Sequence, residues 1–285
     1  MIRDYHPLSI LPRVLLKRNA AFVFQSALLP RCELSTEQLI TGCSEKRISR
    51  FHQAVAWQGE GIHPCFLHTL AFRQHLQLML QPAFPFAVLG LVHKANKIAQ
   101  FAALSSAPEG LLSSQVCSFK RHDRGISFVI SSRFECNNDL VWRSESEFIA
   151  IDKLTMSAIK ATPINLSADP AKHSQHQNWQ LNADLGRQYA AASGDFNPIH
   201  LSALSAKLFG FKRAIAHGMW TKARCLSALS QHSASAFRCE VEFKRPLFLP
   251  NQVTFSNYIV DEHSLALWVT SDDHQQLHLQ GRLVF

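Results

Sequence analysis

The sequence predicts an α+β fold built twice, each time as a helix followed by an antiparallel sheet that wraps it. Three observations predict it. In AFRCEVEFK, residues 236–244, Phe237, Cys239, Val241 and Phe243 alternate with Arg238, Glu240, Glu242 and Lys244. That period of two marks a strand with one face buried and the other in water. The strand follows GMWTKARCLSALSQ, where Met219, Ala223 and Leu226 share one helical face. The same order, helix and then strands, occurs once in each half, which argues for duplication.

The elements follow in chain order. In LPRVLLKRNAAFVFQSALLPR the apolar residues are interrupted by Arg13, Lys17 and Arg18, so a secretory signal is not expected. Nothing approaches the run of about 20 apolar residues that a spanning helix needs. A cytoplasmic location and no membrane partner are therefore expected. TLAFRQHLQLMLQ reads as a helix, with Leu70, Leu76 and Leu80 among its apolar positions and its start between Pro64 and Thr69. AVLGLVHKA, SSQVCSFK, GISFVISS and LVWRSESEFIAI read as strands after it. ATPINLSADPAKHSQHQN, residues 161–178, has two prolines, many small polar residues and no apolar period, and reads as a linker. Beyond it, QLNADLGRQYAAAS places Leu185, Tyr189 and Ala192 on one helical face. QVTFSNYIV, SLALWVTS and QLHLQGRLVF close the chain as strands, and Gln115-Val116 and Gln252-Val253 are expected to open equivalent strands. The expected division is a degenerate N-terminal domain over 1–151, a linker over 152–178 and a catalytic C-terminal domain over 179–285.

An apolar fraction of 47% in 285 residues is ample for packed cores. A formal charge of +8 favours acidic partners. The basic residues are scattered, without a basic tract or a DNA-reading motif, so nucleic acid is not an expected partner. Seven cysteines, an odd number without a CxxC pair, read as reduced thiols. The 15 histidines show neither HExxH nor paired His and Cys spacing, so they read as surface or satisfied polar side chains, with no metal and no cofactor expected.

The chemistry concentrates in SGDFNPIHLSALSAKLFGFKRAIAHGMW, residues 193–220. Pro198 restricts Asn197 to an extended or turn conformation, so GDFNPIH forms a tight loop. Such a loop turns the carboxylate of Asp195 and the ring of His200 towards one point, where the pair can hold a water and exchange protons with a substrate near neutral pH. His217 precedes Gly218 at a helix start, where first-turn N–H groups lack partners and a missing Cβ admits a ligand oxygen. That makes Gly218 an oxyanion candidate, reinforced by the helix dipole. Each residue also has a plainer reading: Asp195 and Asn197 as turn or cap residues, His200 as a satisfied histidine, Gly218 as a packing glycine.

The run SGDFNPIH, then GF, then IAHGM resembles the signature of the MaoC-like dehydratase family, the (R)-specific enoyl-thioester hydratases of the hotdog fold. FKRPLFLP, residues 243–250, is similar to the strand after the hotdog helix, and PAFPFAVLGLVHKANKI to the degenerate partner domain of double-hotdog members. The resemblance implies a tandem hotdog, with Asp195 and His200 as the catalytic pair and the Gly218 N–H as the thioester-oxygen site. It also implies that Asn197 holds the loop and that the acyl chain lies along the central helix, so Asn197, His217, Met219 and Trp220 are candidate substrate-binding residues, Trp220 with core packing as its other role. Ser202 departs from the family, where an Asp is common after the His.

The implied reaction is reversible hydration of a trans-2-enoyl thioester to a (3R)-3-hydroxyacyl thioester, on coenzyme A or acyl carrier protein. A hotdog acyl-thioesterase and a non-catalytic acyl-thioester-binding protein are the alternatives. The N-terminal half has no DxNPxH and no His-Gly at its helix start, so His63, His68 and His75 are not expected to form a second site. Lys212, Arg213, Lys222, Lys244 and Arg245 are candidates to meet coenzyme A phosphates or an acidic carrier, or are solvated surface charges. A monomeric double hotdog or a homodimer is expected.

Overall fold

A computed structural model of the chain describes residues 28–104, 107–152, 175–232 and 235–285. In the first half, β1 (Ser35–Thr41), α1 (Glu45–Val55) and α2 (Phe66–Met79) precede β2 (Leu91–Gln100), β3 (Glu109–His122), β4 (Gly125–Cys136) and β5 (Asp139–Ile151). The second half runs β6 (Gln175–Leu181), α3 (Leu185–Ser193), α4 (Pro198–Leu201), α5 (Ala203–Lys207), α6 (Gly218–Ala228), then β7 (Phe237–Phe243), β8 (Asn251–Asp261), β9 (Ser264–Ser271) and β10 (Leu277–Val284).

The ten described strands form one antiparallel sheet in the order β1-β3-β4-β5-β2-β7-β10-β9-β8-β6. Each half thus contributes the same order, and the two orders meet head to head at β2 and β7. This is a double hotdog, with α2 and α6 as the central helices. The seam pairs Ala95 with Glu242 through to Gln100 with Phe237. Along β7 the inward Phe237, Cys239 and Val241 are buried and Arg238 and Glu242 are exposed, as the period of two requires.

One apolar core runs through both halves, including Phe66, Trp142, Phe237 and Phe255, and a second cluster around Leu78, Phe84, Phe128 and Phe148 lies within the first half. Polar atoms stitch the halves as well. The Trp220 indole N–H donates to the Ala54 carbonyl at 2.8 Å, and His63 Nε2 donates to the Ala223 carbonyl at 3.0 Å. Lys222, fully buried on α6, donates to Asn96 Oδ1 (2.6 Å), to the Asn96 carbonyl (3.1 Å) and to the Cys239 carbonyl (3.0 Å), which lie on β2 and β7.

Several expectations need correction. Most of the linker, 153–174, lies outside the described residues, but residues 175–178 belong to β6. That strand is at the sheet edge and buries only Trp179 and Leu181, so its first four residues show no apolar period. The helix expected from Gln180 begins at Leu185. Gln115-Val116 does not open a strand: β3 starts at Glu109, whereas Gln252-Val253 does lie at the start of β8. Lys222 is a core residue, unavailable to phosphate. His63, His68 and His75 are buried too, because their rings find partners inside: His63 on Cys65 N–H and the Ala223 carbonyl, His68 on Ser144 and His75 on Ser132. All seven cysteines are free, with Cys65, Cys225 and Cys239 buried and Cys117 exposed. No helix among the described residues is long and apolar enough to cross a membrane.

Candidate active site

The site is built by a sequence of local constraints after α3. That helix ends at Gly194, whose φ of 83° lies in the left-handed region that favours glycine. The chain then folds back on its own polar groups. Ser193 Oγ donates to the Tyr189 carbonyl and accepts from Asp195 N–H, and Asp195 Oδ1 accepts from Asn197 N–H at 3.1 Å. Asn197 is the N-cap of α4, its Oδ1 accepting from Ile199 N–H, and Pro198 opens the helix.

His200 lies on α4 and is 8% exposed. Its Nδ1 is 2.7 Å from the Ile215 carbonyl, and since a carbonyl only accepts, Nδ1 carries a proton. In the neutral ring Nε2 therefore presents a lone pair. Ile215 N–H donates in return to the Ile199 carbonyl at 3.1 Å, which ties α4 to the segment leading into α6.

His217 is the N-cap of α6 and is buried. Its Nε2 donates to the Asp195 carbonyl at 3.0 Å and lies 3.9 Å from Asp195 Oδ2, while its ring stacks on His200 at 3.7 Å between centroids and touches Tyr189 at 4.9 Å. One polar atom from each of Asp195, His200 and His217 lies within 4.8 Å of the other two. A metal ion would accept such a donor set, but the His200 and His217 rings stack 26° from parallel at 3.7 Å, and one nitrogen of each is already engaged with a backbone carbonyl. The arrangement suits a water between carboxylate and imidazole better.

Burial pushes the Asp195 carboxyl above its ordinary range, opposed by the His200 charge and by the Asn197 N–H. It pushes His200 below the ordinary imidazole value, opposed by the Asp195 charge and the Ile215 carbonyl. His217 is driven well below that value by burial and then by His200, so it stays a neutral donor to the Asp195 carbonyl. The Asp195 side chain keeps 24% exposure, against 3% for His217, so the carboxylate is the member of the group that faces solvent.

Gly218 is the first residue of α6, where N–H groups have no intrahelical acceptor. A Cβ there would stand 3.0 Å from the Phe243 ring, which would have to give by a few tenths of an ångström to admit it. Met219 and Trp220 belong to the apolar core; the Trp220 indole N–H donates to the Ala54 carbonyl and the ring packs edge-on against Trp179, in keeping with the core-packing role expected for it. The Asn197 side chain is spent on its own helix and positions the loop.

Sequence reasoning missed Gly186. Inside α3, a Cβ on Gly186 would stand 1.9 Å from the His200 carbonyl oxygen, so its absence lets α4 lie against α3. A glycine inside a helical pattern was the available signal. Tyr189, beneath His217, gave none beyond its place on the buried face of the helix.

A double hotdog that sets a carboxylate and an imidazole at the N-terminus of its second central helix is a hotdog-fold protein with a candidate acid–base site. Comparison with known proteins shows what the chain is similar to. Residues 166–265 match the model of the MaoC like domain. 3-hydroxyacyl-thioester dehydratase X of Mycobacterium tuberculosis (strain ATCC 25618 / H37Rv) is 29% identical over 181 residues, which are 64% of this chain and 64% of that protein. The match thus spans less than two thirds of the relative's length. The crystal structure of HtdX from M. tuberculosis superposes with a TM-score of 0.76 at 23% identity, over 88% of this chain and 99% of that one. A MaoC-like dehydratase from Phytophthora capsici gives 0.69 at 15% identity, over 89% and 95%. The full-length peroxisomal multifunctional enzyme type 2 of Drosophila melanogaster gives 0.67 at 16% identity, over 88% and 48%. The matched segment, residues 166–265, contains Asp195, His200 and Gly218.

Proposed function

We propose that the chain is a hydro-lyase that reversibly adds water across the trans-2,3 double bond of an enoyl thioester to give a (3R)-3-hydroxyacyl thioester. The observation that carries this reading is that a carboxylate oxygen of Asp195 and a ring nitrogen of His200 lie within 4.8 Å of each other beside the N-terminus of α6. In hydration, the water oxygen bonds to C3 while its proton passes to one member of the pair. The electrons of the double bond move onto the thioester oxygen, which the Gly218 N–H stabilises as an enolate-like charge. The pair then delivers that same proton to C2 as the enolate collapses, so the pair returns to its starting protonation after one water is consumed. Dehydration reverses each step. His217 orients Asp195, and Asn197 holds the loop.

Residues 1–151 act as the partner domain and 179–285 as the catalytic one. The N-terminal half has no DxNPxH motif, and its contribution is the shared core, the β2–β7 seam and a wall of the acyl pocket. That seam is made within one chain, so a monomer contains a complete double hotdog. The substrate is a coenzyme A or carrier-protein thioester.

The test is loss of enoyl absorbance on adding the protein to crotonyl and longer trans-2-enoyl coenzyme A thioesters, beside an Asp195→Asn, His200→Ala double variant. Loss with wild type alone, without free thiol, is expected. Thiol release would establish the thioesterase reading in its place.

A further inference from the structure

Helix α5 follows directly on the turn that carries His200 and is fixed to it. Ser202 Oγ accepts from Ser205 N–H at 3.0 Å, and Ser205 Oγ donates to the Pro198 carbonyl at 2.7 Å. The outer face of this short helix is apolar where water should favour polar groups. Leu204 is 76% exposed and Leu208, at the C-cap, 80%. Four residues apart, the two lie side by side. A single exposed leucine is ordinary; a paired ridge beside a catalytic turn is not.

Charge points the same way. Residues 196–239 contain no Asp and no Glu. Within that carboxylate-free stretch, Lys207, Lys212 and Arg213 stand exposed beside the leucine ridge in the chain. Arg213 is held in place: its guanidinium lies 5.5 Å from the Phe248 ring centroid and donates to the Pro250 carbonyl at 3.2 Å. Less of its side-chain entropy is left to lose on binding. An apolar centre with basic neighbours, in a chain segment without a carboxylate, fits an acidic protein surface that presents apolar side chains of its own.

We propose that the Leu204–Leu208 ridge, with Lys207, Lys212 and Arg213, is the docking site for an acidic acyl carrier protein that brings the thioester to Asp195 and His200. This rests on the hydratase reading. The ridge is separated from His200 by one short turn, so a carrier seated on it holds its thioester arm at the mouth of the site. A second copy of this chain would bring the same positive face and a formal charge of +8, and like charges across an interface are repulsive. An anionic lipid surface matches the charge but presents no thioester.

The full-length protein is compared with two surface variants, Leu204→Glu with Leu208→Glu, and Lys207→Glu. Binding of unloaded, acidic holo-carrier is followed by chemical-shift perturbation of the labelled carrier, and turnover is measured on crotonyl-carrier and on crotonyl coenzyme A. Wild type is expected to bind the carrier with an affinity that falls as salt rises, and each variant to lose about tenfold or more. Turnover of crotonyl-carrier should fall in parallel through KM, while the double leucine variant keeps its coenzyme A turnover. Absence of carrier binding by wild type, unchanged carrier turnover in both variants, or equal loss on both substrates in the leucine variant overturns the proposal. So does a carrier affinity that ignores Leu204 and Leu208 while binding to anionic vesicles, or self-association, depends on them. Carrier binding needs no turnover: a protein that binds the carrier through this face yet hydrates neither thioester sinks the hydratase reading and leaves the docking site standing.

Discussion

The backbone of α3 at Gly186 lies against the His200 carbonyl so closely that a methyl group on Gly186 would stand 1.9 Å from its oxygen. The obstacle is backbone, not the tip of a flexible side chain, so α4 must move to admit it. Gly186→Ala should therefore cost about 1–3 kcal/mol in stability, as overpacking does. It should also lower kcat far more than it changes KM, because the His200 ring shifts relative to Asp195. Thermal unfolding and crotonyl-thioester kinetics read the two effects; wild-type kcat in a destabilised variant would show that the reaction tolerates the movement.

The pH dependence of turnover carries a sign. His200 must be neutral for Nε2 to accept a proton, and burial holds its pKa below the ordinary value of 6.5 while the Asp195 charge opposes that shift. The acid limb of kcat/KM should lie below 6.5, as a property of the coupled pair. Asp195→Asn removes the opposing charge, so the limb of the residual activity should move to still lower pH. The rate itself should fall by about two to four orders of magnitude. A limb that stays in place or moves up in this variant would show that the Asp195 charge does not hold the His200 pKa up.

Much of the architecture was legible because strands with one wet face keep a period of two: SLALWVTS is β9 residue for residue. The edge strands escaped. Among the described residues β1 and β6 are the two ends of the sheet, so they bury little and their sequences, STEQLIT and QHQNWQL, read as polar chain. Helix α1 escaped because its apolar residues, Ile48, Phe51 and Val55, serve a contact with α3 that lies in the other half of the chain. In the site, the Asn-Pro turn showed where Asp195 and His200 sit, since capping chemistry is local. The Ile215 carbonyl that fixes the His200 tautomer belongs to a fold-level approach that no short motif contains.

Lys222 shows the same limit, and a consequence for the seam. A lysine in a sequence reads as surface, yet this one gives all three N–H groups to carbonyl oxygens of Asn96 and Cys239, across β2 and β7. Lys222→Met keeps the length and removes the donors, leaving Asn96 Oδ1 with no partner in a buried place. A cost of about 1–3 kcal/mol is expected, set against the relief of no longer burying a charge. Urea unfolding measures the balance. Wild-type stability in this variant would mean that the three hydrogen bonds only offset the desolvation of the ammonium.

Acid should destabilise the fold through its buried histidines. His63 and His75 are wholly enclosed, and burial pushes each pKa from 6.5 down to about 3. The folded pKa is depressed, so between pH 3 and 6.5 the unfolded chain binds protons that the native chain refuses. Stability therefore rises with pH across that window, is fully present above 6.5, and is lost as pH falls below it. Each such histidine contributes a slope of about 1.4 kcal/mol per pH unit well inside the window. Unfolding free energies from urea titrations at pH 7, 6 and 5 should show this slope, and His75→Gln, which keeps a polar group near Ser132, should flatten it by one histidine's share. Identical slopes for wild type and variant would mean that His75 gains its proton in the native state, through a local opening of α2 from the sheet.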